Sequence, residues 1–120
     1  MQNNLVNEPL FQKNYQILHG DCEKELRAFS NQVDLIVTSP PYADARKQHY
    51  NSILPNDYAD WFISFHNTFW QALKPTGSLV LNMKDKIVDG VRQHYVWETI
   101  EKLIGLGWYC IDDYIWHKKT

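Results

Sequence analysis

Two adjacent prolines stand between a serine and a tyrosine in Ser39-Pro40-Pro41-Tyr42, directly after Thr38. Proline has no N–H and pushes the residue before it toward extended geometry, so the Ser39 and Pro40 carbonyls can be held facing a ligand. The Ser39 hydroxyl adds another acceptor, and Tyr42 adds a flat ring just beyond it. A rim of acceptors beside an aromatic face suits a planar ring that bears an exocyclic amine. The acceptors take the amine hydrogens while the tyrosine stacks on the ring. Pro-Pro-Tyr alone is also a common proline-rich sequence, so the segment needs a framework to carry this reading.

The framework is legible in the periodicity. Tyr15 to His19 forms a short strand candidate closed by the turn pair Gly20-Asp21, and Cys22 to Phe29 follows at helical spacing with Leu26 and Phe29 on one face. Val33 to Thr38 is nearly continuous in its apolarity and rich in β-branched residues, as expected of a parallel strand covered on both faces. Pro41 to Pro55 is a polar loop, longer than usual between elements. A helix capped by Asn56 or Asp57 is expected to run to about Leu73, with Trp61, Phe62, Phe65, Phe69 and Leu73 as its buried face. Pro75 and Gly77 end it, and Ser78 to Met83 is the next strand. Lys84 to Gly90 reads as loop. Val91 to Gly107 reads as a helix stopped by glycine, with Val96, Ile100, Leu103 and Ile104 inward, and Trp108 to Trp116 as a final strand.

Strands separated by helices long enough to cross over imply an α/β fold with a mostly parallel sheet. In such sheets ligands sit beyond the carboxyl ends of the strands. Those ends carry His19-Gly20-Asp21, then Thr38 to Tyr42 with Arg46 and Lys47 behind, then Asn82 with Lys84, Asp85 and Lys86, and finally Trp116-His117-Lys118-Lys119. Cations thus gather at one sheet edge of a chain whose 12 Lys and Arg are outnumbered by 14 Asp and Glu. The net charge of -2 excludes a generally basic nucleic-acid binder, so a polyanion would be held by this local patch.

The 120 residues suffice for one small hydrophobic core, and 44% apolar with 22% charged residues is an ordinary globular composition. No apolar run is long enough to span a bilayer and no signal-peptide pattern opens the chain, so a cytoplasmic place and no membrane partner are expected. Cys22 and Cys110 read as reduced thiols. The five histidines are scattered and no metal-ligand spacing occurs, so no metal is expected.

Taken in order, the chain closely resembles the DNA amino-methyltransferases, whose catalytic motif is (Asp/Asn/Ser)-Pro-Pro-(Tyr/Phe). The resemblance covers the Gly20-Asp21 turn after a strand, the run VDLIVTSPPY over 33–42, an arginine-containing loop, LKPTGSLVLNM over 73–83, and the segment from Gly107-Trp108 to IWHKK at 115–119. The TSPPY form is similar to that of the cytosine-N4 group. The resemblance implies a Rossmann-like class I methyltransferase fold, S-adenosylmethionine as methyl donor, and DNA whose target base is rotated out of the duplex. It implies Ser39, Pro40, Pro41 and Tyr42 as catalytic residues and Asp21 and Thr38 at the cofactor. Arg46 and Lys47 then contact phosphate, while Trp116, His117 and Lys118 line the base pocket. Each of these has an ordinary alternative: a Gly-Asp turn, solvated cations, or a tryptophan closing the core.

The chain departs from the family at one point. Its five glycines, at 20, 77, 90, 105 and 107, form no Phe-x-Gly-x-Gly turn, the signature that floors the cofactor site. Residues 1–120 are therefore expected to be the N-terminal catalytic portion of a single methyltransferase domain. The fold would be partial, lacking the strands that carry the Gly-rich motif, and the remainder of the enzyme would be a partner in the site. Besides a cytosine-N4 methyltransferase fragment, the sequence leaves open an adenine-N6 enzyme, a subunit completed by another polypeptide, and a non-catalytic nucleic-acid-binding module. Strands left without neighbours should expose Val33, Leu35 and Val37 or the residues between them.

Overall fold

The computed structural model describes residues 14–43 and 53–119. Its first element, α1 (Cys22–Leu26), tightens into a 3-10 turn over Arg27–Phe29. Asp21 caps α1, accepting a hydrogen bond from the Glu23 N–H at 2.9 Å. β1 (Val33–Thr38) and β2 (Leu73–Leu81) then pair in parallel, with α2 (Pro55–Ile63) and α3 (His66–Ala72) in the connection between them. A short antiparallel hairpin, β3 (Ile87–Val88) and β4 (Val91–Arg92), leads into α4 (Tyr95–Gly105).

The expected long helix is two helices. Pro55 occupies the first turn of α2, where its missing N–H costs nothing, and Leu54 rather than Asn56 or Asp57 is the cap. The Ser64 hydroxyl donates back to the Trp61 carbonyl at 2.5 Å, competing with the helical pattern, and the Phe65 N–H closes on Phe62 instead of Trp61. The chain turns there and restarts as α3. β2 begins at Leu73, five residues before the expected Ser78, because the register slips between the Val33↔Leu73 and Leu35↔Ser78 pairs. The slip accommodates Pro75, which has no ladder N–H to give. A side chain at Gly77 would press against the Val33 carbonyl at 3.1 Å and the Leu73 side chain, so the close approach of the two strands needs glycine.

The Val91–Gly107 helix is also corrected. Asp89 and Gly90 both have positive φ, 51° and 78°, and make the two-residue turn that matches strand twist. The helix starts only at Tyr95. It stops as expected: Gly107 at φ 110° lets its N–H bond the Ile104 carbonyl at 3.0 Å while the Trp108 N–H reaches Leu103 at 3.2 Å.

The core lies between α2 and α4, where Tyr58, Phe62, Tyr95 and Leu103 are buried with Ala43. Tyr95, Thr99 and Leu103 form the buried stripe of α4: of the expected Val96, Ile100, Leu103 and Ile104, Leu103 is buried, Val96 and Ile100 are half-buried, and Ile104 is exposed. Of the aromatic stripe on α2 and α3, Phe62 is fully buried and Trp61, Phe65 and Phe69 pack against it as half-buried rings. Lys102 pairs with Asp60 at 3.0 Å across the two helices.

Two strand expectations fail among the described residues. Tyr15 to His19 and Trp108 to Trp116 are not strands and run as irregular, mostly exposed chain. Alternating apolar character makes a strand only where an edge is available to bond it. For the same reason β1 is covered on one face, not two: Leu35 and Val37 are 53% and 65% exposed, beside Val80 at 47%. No helix among the described residues is long and apolar enough to cross a membrane.

Candidate active site at the strand ends

Because β1 and β2 are parallel, their carboxyl ends lie side by side, with Thr38 paired to Leu81. The ladder continues one step further, the Asn82 N–H donating to the Thr38 carbonyl at 2.9 Å. This brings Ser39 against Asn82. The Ser39 Oγ lies 3.3 Å from the Asn82 carbonyl, which takes its proton, 3.2 Å from the Tyr42 hydroxyl, and 3.5 Å from Asn82 Nδ2. A hydroxyl has one hydrogen and two lone pairs. With the hydrogen turned to Asn82, the Ser39 oxygen accepts from Tyr42 at one lone pair and keeps the second for a ligand, since Asn82 Nδ2 donates to it only at the long distance of 3.5 Å. Pro40 is buried, Tyr42 is half-buried and Ser39 is exposed, so the acceptor rim stands on a packed base and faces solvent.

The rim is tied from the helix side. The Tyr58 hydroxyl of α2 donates to the Pro41 carbonyl at 2.6 Å. The Tyr95 hydroxyl of α4 donates to the Lys84 carbonyl. Burial raises the Tyr95 phenol to about 12; the Ala43 backbone N–H aimed at its oxygen works the other way, and the negative charge of Asp85 and then Tyr42 add to the rise. The Tyr58 and Tyr95 rings touch at 4.7 Å between centroids. Arg92 and Asp85 form an ion pair at 2.6 Å beside this loop.

The other residues singled out in the sequence are less concentrated. Thr38 is on the rim, its carbonyl in the extended ladder. Asp21 is exposed at the start of α1. The cap bond uses one lone pair of its carboxylate and leaves acceptor capacity that fits an amino group or a ribose hydroxyl. The free acceptor capacity of Asp21 therefore suits the nucleoside end of S-adenosylmethionine, while no glycine turn among the described residues offers backbone N–H groups to its other end. Arg46 and Lys47 lie outside the described residues. Trp116, His117 and Lys118 are not packed on the rim: Trp116 is 75% exposed, with the Lys118 ammonium 5.9 Å from its ring centre, and it does not close the core. Sequence reasoning placed Asn82 at a strand end without giving it a role, and it missed Tyr58 and Tyr95 altogether. The signal available for both tyrosines was a polar tip on a residue at a core position of a helix.

A parallel α/β sheet whose adjacent strand ends present Ser-Pro-Pro-Tyr to solvent defines the chain as part of a class I methyltransferase fold. Residues 33–120 match the DNA methylase family, and the chain belongs to that family. It is 33% identical over 101 residues to the type II methyltransferase M.PvuII of Proteus hauseri, covering 81% of this chain and 30% of that protein. The solved structure of the PvuII DNA methyltransferase, described as cytosine-N4-specific, superimposes with a TM-score of 0.59 at 34% identity, over 72% of this chain and 32% of that one. The chain thus spans about a third of the length of the relatives it matches.

Proposed function

We propose that this chain is the N-terminal catalytic portion of a DNA methyltransferase that transfers a methyl group from S-adenosylmethionine to the N4 amine of cytosine. The observation that carries the reading is the Ser39 oxygen, turned into an acceptor by the Asn82 carbonyl at 3.3 Å and set beside Tyr42 at the strand ends. The cytosine-N4 specificity printed for the structural relative supports the choice of base. That the chain covers only 32% of that relative supports reading it as a portion of a longer enzyme.

An aryl amine is a weak nucleophile because its lone pair is delocalised into the ring. Hydrogen bonds from the amine N–H groups to Ser39 Oγ and the Pro40 carbonyl favour the pyramidal nitrogen whose lone pair is free. The Tyr42 ring stacks on the extruded base and fixes its plane. Bound S-adenosylmethionine supplies an electrophilic methyl carbon. Asp21 and Thr38 hold its nucleoside end, and Arg46, Lys47 and the Trp116-His117-Lys118 segment serve the DNA. Positioning rather than a strong base provides most of the acceleration. Nucleoside mass spectrometry of DNA modified by the enzyme tests the assignment: N4-methylcytosine is expected, and N6-methyladenine as the sole product, or no methylated base, refutes it.

A further inference from the structure

We propose that Tyr58 and Tyr95 are positioning residues for methyl transfer, two buried phenols that together set the spacing of the loop carrying Ser39 and Tyr42 against the loop carrying Asn82. The proposal rests on the functional reading above. Tyr58 and Tyr95 are 0% and 1% exposed, at the centre of the interface between α2 and α4. Phenylalanine fills such a position equally well and brings no hydroxyl that must find a partner. Yet both positions carry the hydroxyl, and both hydroxyls bond the backbone of a strand-end loop.

The partners are specific. Tyr58 holds the Pro41 carbonyl, which belongs to the peptide plane leading into Tyr42. Tyr95 takes the Ala43 N–H from the other side of Tyr42 and passes its own proton to the Lys84 carbonyl, two residues beyond Asn82. Tyr42 is therefore flanked on both sides by bound backbone groups. One of those bonds continues through a single phenolic oxygen into the loop after β2. The tilted contact of the two rings, 4.7 Å between centroids, joins the α2 and α4 attachments into one unit. This unit fixes two distances that the chemistry depends on, Ser39 Oγ to the Asn82 carbonyl and Ser39 Oγ to the Tyr42 hydroxyl, at 3.3 and 3.2 Å. Neither phenol touches the reacting atoms. Their effect passes through Ser39 and Tyr42, where a misplacement of an ångström is enough to slow the reaction severely.

The test is single-turnover methyl transfer from labelled S-adenosylmethionine to unmethylated plasmid DNA, with enzyme in excess, comparing the parent with Tyr58→Phe and Tyr95→Phe. Each variant keeps its ring and loses its hydroxyl. The rate constant is expected to fall about tenfold in each, with the amplitude retained and the KM for S-adenosylmethionine within about twofold of the parent. A purely structural role lowers the folded fraction and the melting temperature of the variant and leaves the single-turnover rate constant at saturating enzyme unchanged; that result overturns the proposal. Should Tyr95→Phe fail to fold because it strands both the Ala43 N–H and the Lys84 carbonyl, Tyr58→Phe decides alone. A parent that transfers no methyl group refutes the functional reading and this proposal with it, whereas a working parent matched in rate by the variants refutes the positioning role only.

Discussion

Replacing Tyr42 separates the two things its side chain does. From sequence the residue is a ring for the target base, and Tyr42→Phe should be nearly silent. The structure adds the hydroxyl, 3.2 Å from Ser39 Oγ. The pair is neutral and open to solvent on the Ser39 side, so it belongs at the low end for a hydrogen bond, about 0.5 to 1 kcal/mol. Losing it in Tyr42→Phe should slow methyl transfer by about twofold to fivefold at about 1.4 kcal/mol per decade. Tyr42→Ala removes this bond and also the stacking surface, worth about 1 to 3 kcal/mol per base. The combined loss of about 1.5 to 4 kcal/mol corresponds to a slowing of roughly tenfold to several hundredfold. The assay is the single-turnover rate on unmethylated DNA, since steady-state turnover can be limited by product release. Equal large losses in both variants would show that the hydroxyl carries the function and refute stacking. A Tyr42→Ala variant as mild as Tyr42→Phe would show that the base does not rest on this ring.

Two further predictions concern pH. Trp108 Nε1–H donates to His66 Nδ1 at 2.8 Å, and burial lowers the His66 pKa below its ordinary 6.5, so the folded state prefers the neutral ring. The stability this contributes is complete above pH 6.5 and is lost as pH falls toward the folded value; urea unfolding at pH 7.5 and 5.5 should show a drop that His66→Phe abolishes, and an unchanged drop in that variant sinks the assignment. The Tyr95 phenol, raised to about 12, contributes in the opposite direction. Its stabilisation is intact below pH 10 and lost between 10 and 12, by up to about 2 kcal/mol, so thermal melts across that window should fall more steeply in the parent than in Tyr95→Phe.

The segment from Ser39 to Tyr42 was legible in the sequence because its information is local. Two prolines, a serine and a tyrosine after an apolar β-branched run specify a rigid strand-end loop wherever the run becomes a strand. β1 formed with the expected bounds, and so did the glycine stop of α4. What was not legible depended on partners distant in sequence or on weaker local competitors. Tyr15 to His19 and Trp108 to Trp116 have strand-like alternation, but a ladder is made by a neighbouring edge and not by the segment itself. The break between α2 and α3 comes from one serine hydroxyl bonding back to Trp61, a choice that helical periodicity does not register. Asp89-Gly90 was legible as a hairpin turn and was overridden by the apolar pattern that follows it. The partners of Tyr58 and Tyr95 lie 17 and 11 residues away along the chain, in loops with no period of their own.

The placement of these two tyrosines also accounts for where the site gets its rigidity. A sheet of two parallel strands is marginal by itself, and here one face exposes Leu35, Val37 and Val80. The strand ends could therefore not be held in place by the sheet alone. The rim is instead anchored from the covered side, where α2 and α4 pack through Tyr58, Phe62, Tyr95 and Leu103 and send two phenolic hydroxyls up to the loop backbone. The exposed face contributes apolar surface but no bond to Ser39 or Tyr42 among the described residues. Covering the Leu35 and Val37 face would therefore act on the sheet as a whole, while the acceptor rim, brought together by the bond from Asn82 to Thr38, is tied in addition to the interface between the two helices.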